Sequence, residues 1–192
     1  LNDFAALEGD GARYVSVVSF GSNAQTALDW IDVSETGRLE EAKNAVDDVQ
    51  IGNGGGFDGS DGGTNIEAGL MLARNLLNEQ SGDGVDYLYA VLLTDGSPTY
   101  HVDGDEDSTD FIRGKQGGGS YATPDDVKDV AGIADDIQDF SSMARVYSIC
   151  FGEGVYDSKL CQYYDWRDWI GTDASSDTTI GEWLDSFSDE AL

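Results

Sequence analysis

Apolar positions in the first half of the chain follow two different periods, and these periods predict strands and helices in turn. Residues 13–20 are β-branched and alternating, which predicts a strand, and residues 24–30 follow a Gly-Ser-Asn turn as its short hairpin partner at a sheet edge. Apolar side chains recur at helical spacing over about 37–50 and again over 66–80. The pattern therefore predicts a hairpin followed by two helices.

The second half continues the alternation of strands and helices. Residues 87–93 are the most apolar run and are predicted to form a buried strand. Pro124, followed by two aspartates, begins a helix, because proline and acidic side chains both favour the first turn. A strand over 145–151 and a closing helix over about 180–187 complete the series. We therefore predict an α/β fold with a doubly wound, mostly parallel sheet and helices on both faces.

The charge of the chain excludes two classes of partner. Ten basic residues stand against 38 acidic ones, giving a net charge of −28. Such a surface repels nucleic acid and anionic membranes. No apolar run approaches the roughly 20 residues that cross a bilayer, so no membrane insertion by this segment is expected. The acidity fits adaptation to high salt or millimolar Ca²⁺, and it equally fits an ordinary acidic secreted protein.

A glycine-rich loop brings a hydroxyl to the start of the second helix. Gly62 and Gly63 lack Cβ atoms, so the backbone before Thr64 can approach an ion or a ligand closely. Threonine also serves as an ordinary helix cap, which leaves two interpretations of Thr64 open. One is a metal ligand, and the other is a cap provided by Thr64 or by Asn65.

A carboxylate ends the most apolar strand. Asp95 follows that strand directly, and Gly96 and Ser97 offer backbone and hydroxyl donors to it. In open α/β sheets, ligands bind beyond the carboxyl ends of the strands. Burial of an ionised carboxylate there needs a cation or hydrogen bonds, although Asp-Gly is also a common turn. Together, Thr64 and Asp95 present hard oxygen donors that suit Mg²⁺, or else Mn²⁺ or Ca²⁺.

Four blocks of the sequence resemble a von Willebrand factor A domain. They are VSVVSFGSNA (15–24), GGTNIEAGLMLA (62–73), YAVLLTDGSPT (89–99) and RVYSICFG (145–152). The resemblance implies a metal-ion-dependent adhesion site with oxygen ligands from three loops. Thr64 matches the second loop and Asp95 the third. The Asp-x-Ser-x-Ser motif of the first loop is missing, and the resemblance implies that this motif and the first strand lie upstream of Leu1. The alternative is a variant domain that has lost its metal site.

The resemblance also sets expectations for organisation and function. Residues 1–192 form one domain with an acidic insertion at about 100–123 and a C-terminal extension over 152–192. The implied function is that of an extracellular or cell-surface adhesion domain in a larger polypeptide. An acidic group of a protein or glycan ligand would complete the coordination of the ion. The alternative is a structural module of a filament, pilus or sheath.

The acidic insertion and the glycine loop hold weaker metal candidates. Asp103, Asp105 and Asp107 alternate like the first half of a calcium loop, but Ser108 and Gly114 stand where an EF-hand has glycine and glutamate. Asp61, just before the paired glycines, is a further candidate ligand. The other interpretation of the insertion is a solvated acidic loop. Additional Ca²⁺ is therefore an open expectation.

The number and spacing of cysteine and histidine residues allow a disulfide and do not favour a zinc site. A disulfide between Cys150 and Cys161 would attach an irregular polar stretch to the sheet, and two buried thiols are the alternative. Two cysteines and one distant histidine, His101, do not favour a zinc site. The chain has no Gly-x-Ser-x-Gly elbow and no phosphate-binding loop motif, so we expect no enzyme.

Overall fold

The computed structural model describes residues 1–6, 11–49, 63–81, 85, 87–114, 122–140, 144–152 and 178–185. Within these residues the elements are α1 (Asn2–Ala5), β1 (Tyr14–Phe20), β2 (Ala24–Asp32), α2 (Arg38–Asp47), α3 (Ile66–Gln80), β3 (Leu88–Thr94), β4 (Phe111–Ile112), α4 (Pro124–Phe140), β5 (Ala144–Cys150) and α5 (Ile180–Asp185). The fold is mixed α/β, which confirms the predicted class.

The strands form two small sheets of different type. β1, β2 and β4 pair antiparallel in the order β1-β2-β4, whereas β3 and β5 pair parallel. In the part of the chain that the structure describes, parallel pairing is confined to β3 and β5, and the doubly wound, mostly parallel sheet stays a prediction. The prediction that β2 is an edge strand is wrong. Its outer side pairs with β4 through Ala24–Ile112 and Gln25–Phe111, a contact between segments far apart in sequence.

The main core lies around α3. Seven consecutive residues at the start of this helix, Ile66 to Leu72, are buried, because neighbours surround the helix. The inward side of β3, with Leu88, Ala90 and Leu92, packs into the same core as Val130 of α4. β3 alternates strictly between buried and exposed side chains, as a strand covered on one face does. The core thus joins α3 and α4 to the parallel pair.

A smaller core lies on the opposite face of the antiparallel sheet. Ile31 and Ala42 are buried there, and Val15 and Leu39 pack against them. Trp30, the neighbour of Ile31 in β2, instead packs toward the main core and donates from Nε1 to the carbonyl of Leu76 at 3.3 Å. Adjacent residues of a strand point to opposite faces. β2 therefore separates the two cores, with α2 on one side and α3 on the other.

The helices of the second half begin with side-chain caps that the sequence encodes locally. Thr123 and Asp126 form a reciprocal box at the start of α4, with the Thr123 N–H 2.7 Å from Oδ2 of Asp126. Thr179 and Glu182 repeat the arrangement at α5. Such boxes satisfy amides that the first turn leaves unpaired. The closing helix packs as predicted, since Trp183 is almost fully buried against the core. Among the described helices, none is long and apolar enough to cross a membrane.

Candidate cation-binding crevice

Three loops meet at the carboxyl end of β3. The backbone N–H of Gly63 donates to Oγ of Ser22 at 3.1 Å, and that of Asn65 donates to the carbonyl of Gly21 at 2.7 Å. These bonds attach the glycine loop to the β1–β2 turn. Ser22 and Asn23 are themselves nearly fully buried. The anchor of the loop is therefore a short polar turn whose importance the sequence pattern did not indicate.

The loop after β3 closes onto Thr64 from the other side. The Thr64 N–H donates to Oγ1 of Thr99 at 2.9 Å, and the Thr64 carbonyl accepts from the N–H groups of Thr99 and Tyr100 at 2.8 and 3.2 Å. The Thr64 side chain lies against Gly96, where a Cβ would stand 2.9 Å from its Oγ1. The structure thus brings the loops of Thr64 and Asp95 together, as the sequence predicts.

Asn65, and not Thr64, caps α3. The Asn65 Oδ1 accepts from the N–H of Ala68 at 2.9 Å. The interpretation of Thr64 as the helix cap is therefore wrong. The Thr64 hydroxyl makes no hydrogen bond within the described ranges and lies against Gly96.

Asp95 occupies a tight turn beyond β3. Thr94 shapes that turn, because its Oγ1 bonds both the N–H and the carbonyl of Gly96 at 3.3 and 3.1 Å. The Asp95 side chain is exposed, and neither an ion pair nor a hydrogen bond engages its carboxylate in the part of the chain described. The argument that Asp95 needs a cation because it is buried is therefore wrong. The Asp95 carboxylate is available to an ion because no hydrogen bond or ion pair among the described residues engages it.

Of the residues that flank the candidate ligands Thr64 and Asp95, some lie within the described ranges and others do not. Gly63 is buried under the ring of Tyr100, where a Cβ would lie 2.0 Å from Cδ2. Gly96 and Ser97 are half-buried in the same loop. Gly62 and Asp61 lie outside the described residues. The structure therefore gives Gly63 and Gly96 a clear physical role, namely close approach between the two loops.

Gly114 is a further residue of this region that the sequence pattern did not single out. Its N–H donates to Oδ1 of Asn23 at 3.0 Å, and a Cβ there would lie 1.9 Å from the carbonyl oxygen of Ser22. Gly114, near the end of the acidic insertion, thus packs against the β1–β2 turn, to which the glycine loop is also bonded.

We expect Gly114→Ala to destabilise the chain by about 1–3 kcal/mol, because the added methyl must displace the backbone of Ser22. Urea denaturation would measure the loss. Gly132→Ala is the matched control, since Gly132 lies in α4 and a Cβ there meets nothing within 4 Å. That control is expected to gain roughly 0.5–1 kcal/mol from helix propensity. Equal effects of the two changes would contradict the prediction.

A buried group of ionisable side chains lies behind the crevice. Asp126 is fully buried and its Oδ1 is 2.7 Å from Nδ1 of His101, while Glu67 is 4% exposed and accepts from the N–H of Val102 at 2.6 Å. Burial raises the pKa of Glu67 to about 7 against the opposing hydrogen bond, and nearby Asp129 adds to the rise. Burial lowers the pKa of His101, but the hydrogen bond and charge of Asp126 outweigh it, so the net shift is upward.

The acidic insertion is held by side chains of α3. Asp103, Asp105 and Asp107 are exposed, and Oδ1 of Asp105 is paired with Nη2 of Arg74 at 2.6 Å. Asn75 donates from Nδ2 to the carbonyls of Glu106 and Ser108 at 2.7 and 2.9 Å, and these two bonds attach the backbone of the insertion to α3. Among the described residues, no three acidic, histidine or cysteine side chains are grouped to hold a metal ion. Calcium binding by this insertion stays a prediction.

The cysteine prediction extends past the described residues. Cys150 ends β5 and is half-buried beside the main core. Cys161 lies outside the described ranges, as does most of the predicted C-terminal extension. The disulfide therefore stays a prediction.

Comparison with known proteins does not assign this chain to a family. A scan of family models, a search of curated proteins and a search of solved structures each gave no match.

Proposed function

We propose that this chain is a von Willebrand factor A-type domain that binds a protein or glycan through a divalent cation at the Thr64–Asp95 crevice. The observation that carries the proposal is that Asn65, and not Thr64, caps α3. Because Asn65 caps α3, the Thr64 hydroxyl does not serve as the cap and lies against Gly96, the residue that follows Asp95. A hydroxyl and a carboxylate are donors that Mg²⁺, Mn²⁺ and Ca²⁺ accept.

The donor set fits such an ion in kind, although these residues supply only two of the ligands. The resemblance implies further Ser and Asp ligands from an Asp-x-Ser-x-Ser loop. When bound, the ion would polarise and hold an acidic group of the partner. The role of this chain is to hold Thr64 and Asp95 in place through Thr99 and Thr94. No catalytic step is part of the proposal.

The finer fold belongs to the same proposal. α3 and α4 cover one face of the parallel pair, and α2 covers the opposite face of the antiparallel sheet. Helices on both sides of adjoining strands support a doubly wound arrangement of the von Willebrand factor A type. A surface or extracellular location is proposed with it. The strong negative field opposes an acidic partner at long range, so binding is expected to strengthen with moderate salt.

Calorimetric titration of the full-length protein with Mg²⁺, Mn²⁺ and Ca²⁺ tests the proposal. We expect one saturable site, with affinity at least about tenfold weaker in Thr64→Ala and in Asp95→Ala, because each change removes a direct oxygen donor. Asp135→Ala is the control, since it removes an exposed carboxylate of α4 that is not a candidate metal ligand. Equal binding by all four proteins would show that cations associate only with the general acidic surface and would refute the site.

One observation favours the alternative of a structural module. The outward face of the parallel sheet exposes large apolar side chains, with Val91 at 53%, Leu93 at 55% and Ile149 at 51% exposure. Contiguous apolar surface of this kind marks contact sites. In a filament or sheath, fixed neighbours would cover this face. Self-association that persists in a chelator, combined with unchanged cation binding in the Asp95→Ala variant, would favour this function over adhesion.

A further inference from the structure

The loop that follows β3, residues 95–102, is held at its far end by two carboxyl groups. We call it the crevice loop. The N–H of Val102, its last residue, donates to Oε2 of Glu67 in α3 at 2.6 Å. Nδ1 of the preceding residue, His101, lies 2.7 Å from Oδ1 of Asp126 in α4. Two different helices therefore hold two consecutive residues of the crevice loop.

These two carboxyl groups differ from the other acidic groups that the structure describes. Among the described acidic residues, Glu67 and Asp126 are the two that are buried, at 4% and 0% exposure. Burial of a carboxyl group is unfavourable, and it raises the pKa of Glu67 to about 7 against the opposing hydrogen bond from Val102. Since both buried acids meet adjacent residues of one loop, their burial indicates a role in holding that loop.

Helix capping alone does not explain the burial of Asp126. Its Oδ2 accepts from the N–H and from Oγ1 of Thr123, both at 2.7 Å, and completes the box at the start of α4. The matching box at α5 uses Glu182, which is exposed and whose Oε2 alone accepts both bonds from Thr179. A cap therefore needs one oxygen and no burial. The second oxygen of Asp126 is bonded to His101 instead.

The helix dipole does not explain the burial of Glu67 either. An acidic side chain in the first turn stabilises a helix from the surface as well, and Glu40 of α2 and Asp125 of α4 are exposed at such positions. Glu67 is buried next to Val102, which is itself 3% exposed. Without the Glu67 oxygen, the Val102 N–H would be buried and unpaired, which is costly.

The bonds of the crevice loop continue directly to Thr64. The two residues before His101, Thr99 and Tyr100, donate from their N–H groups to the Thr64 carbonyl at 2.8 and 3.2 Å. The Thr64 N–H donates to Oγ1 of Thr99 at 2.9 Å. Every residue of 99–102 is thus bonded, the first two to Thr64 and the last two to the buried acids.

We propose that Glu67 and Asp126 are positioning residues of the Thr64–Asp95 crevice. They fix residues 101 and 102 of the crevice loop and thereby keep residues 99 and 100 bonded to Thr64. The effect on the loop is independent of any ion, whereas the effect on cation affinity rests on the proposed function. Because the two acids belong to α3 and α4, the helices of the main core position the loop together with β3.

Amide hydrogen exchange of the full-length protein without divalent cations tests the effect on the loop. In Glu67→Ala and in His101→Ala, the N–H groups of Thr99 and Tyr100 should exchange at least about tenfold faster, because local opening then breaks fewer bonds. Amides inside α3 and β3 should keep their protection. His101 is changed instead of Asp126, because loss of Asp126 would also remove the cap of α4.

Conservative variants separate the two bonds from the charge and bulk of the side chains. Glu67→Gln keeps an oxygen that can accept from the Val102 N–H. His101→Asn keeps an N–H donor at about the place of Nδ1. We expect the N–H groups of residues 99 and 100 to exchange in both variants at rates close to those of wild type.

Thr123→Ala is the matched control for a general loss of stability. It removes the hydroxyl that bonds Oδ2 and the N–H of Asp126, but it leaves the bond between Oδ1 and His101. Exchange at residues 99 and 100 should therefore be unchanged, although α4 loses part of its cap. Circular dichroism of each variant would establish that it is folded.

Calorimetric titration of the same proteins with Mg²⁺ extends the test to the crevice. Affinity should fall about tenfold in Glu67→Ala and in His101→Ala, although Thr64 and Asp95 are intact, because residues behind the ligands fix their geometry. Glu67→Gln should restore it, which would exclude simple loss of negative charge as the cause. If wild type binds no ion, the proposed function fails, while the exchange rates still decide whether the two acids position the loop.

The positioning role would be overturned by unchanged exchange of Thr99 and Tyr100 in both alanine variants. Equal acceleration in Thr123→Ala would also overturn it, since that would reflect a general loss of stability. So would a failure of both conservative variants to restore the wild-type rates, because the two hydrogen bonds would then not be what holds the loop.

Discussion

Replacement of Glu67 by glutamine is expected to remove the loss of stability that this buried carboxyl group causes as the pH rises from 4.5 through 7. Glu67 is buried at the start of α3, and burial raises its pKa from 4.5 to about 7. By the usual conversion this rise corresponds to about 3 kcal/mol. Glutamine retains an oxygen that can accept from the Val102 N–H, but it carries no charge to bury.

The sign follows from proton binding. With a raised pKa, the folded state holds the Glu67 proton more tightly than the unfolded chain does, so the favourable contribution is complete below about pH 4.5 and is lost as the pH rises through 7. The raised pKa of His101 acts in the same direction, because its charged form, held by Asp126, is lost as the pH rises through its folded pKa. The contributions of these two groups to wild-type stability therefore fall from acid toward neutral pH.

Urea denaturation of wild type and Glu67→Gln at pH 4, 6 and 8 would measure the effect. The free energy of unfolding of the variant, taken relative to wild type, should rise by about 3 kcal/mol across this range. Glu79→Gln is the control, because Glu79 is an exposed acid on the same helix. Parallel pH profiles for Glu67→Gln and wild type would show that folding does not raise the pKa of Glu67.

The second large effect is expected at the closing helix. Trp183→Ala should cost about 3–5 kcal/mol, because it removes a large side chain that is 2% exposed and leaves a cavity beside β5. Neighbouring Leu184 is fully buried, and its carbonyl accepts from Oγ of Ser148 at 2.8 Å, so the helix cannot easily shift to fill the space. The helix therefore contributes to the main core as a packed element.

Chemical denaturation at constant pH would measure this loss. Tyr87→Ala is the matched control, because it also removes an aromatic ring, but one that is 66% exposed. Its loss in free energy of unfolding should be much smaller than that of Trp183→Ala. Trp183→Phe should fall between the two. A loss below about 1 kcal/mol for Trp183→Ala would mean that α5 is not anchored to the core as the structure shows.

The candidate site was accessible to sequence reasoning only in outline. Thr64 and Asp95 were identified because a glycine loop before a helix and an Asp-Gly turn after an apolar strand are local patterns. The contacts around these two residues could not be predicted from the sequence. That Asn65 caps α3 and that Asp95 is exposed depend on which loops pack together. Ser22 and Gly114 were missed, since their importance arises from contacts with residues about 40 and 90 positions away.

The sequence by itself determined the elements whose signals are local. The bounds of α3, the strand β3 and the start of α4 at Pro124 agree with prediction, because periodicity and helix-start signals act within a few residues. Only the tertiary structure decided how these elements pair. β4 has two residues and no periodicity, yet it makes β2 an inner strand. Burial of Glu67 likewise depends on segments distant in sequence, since pairing and desolvation are properties of the assembled chain.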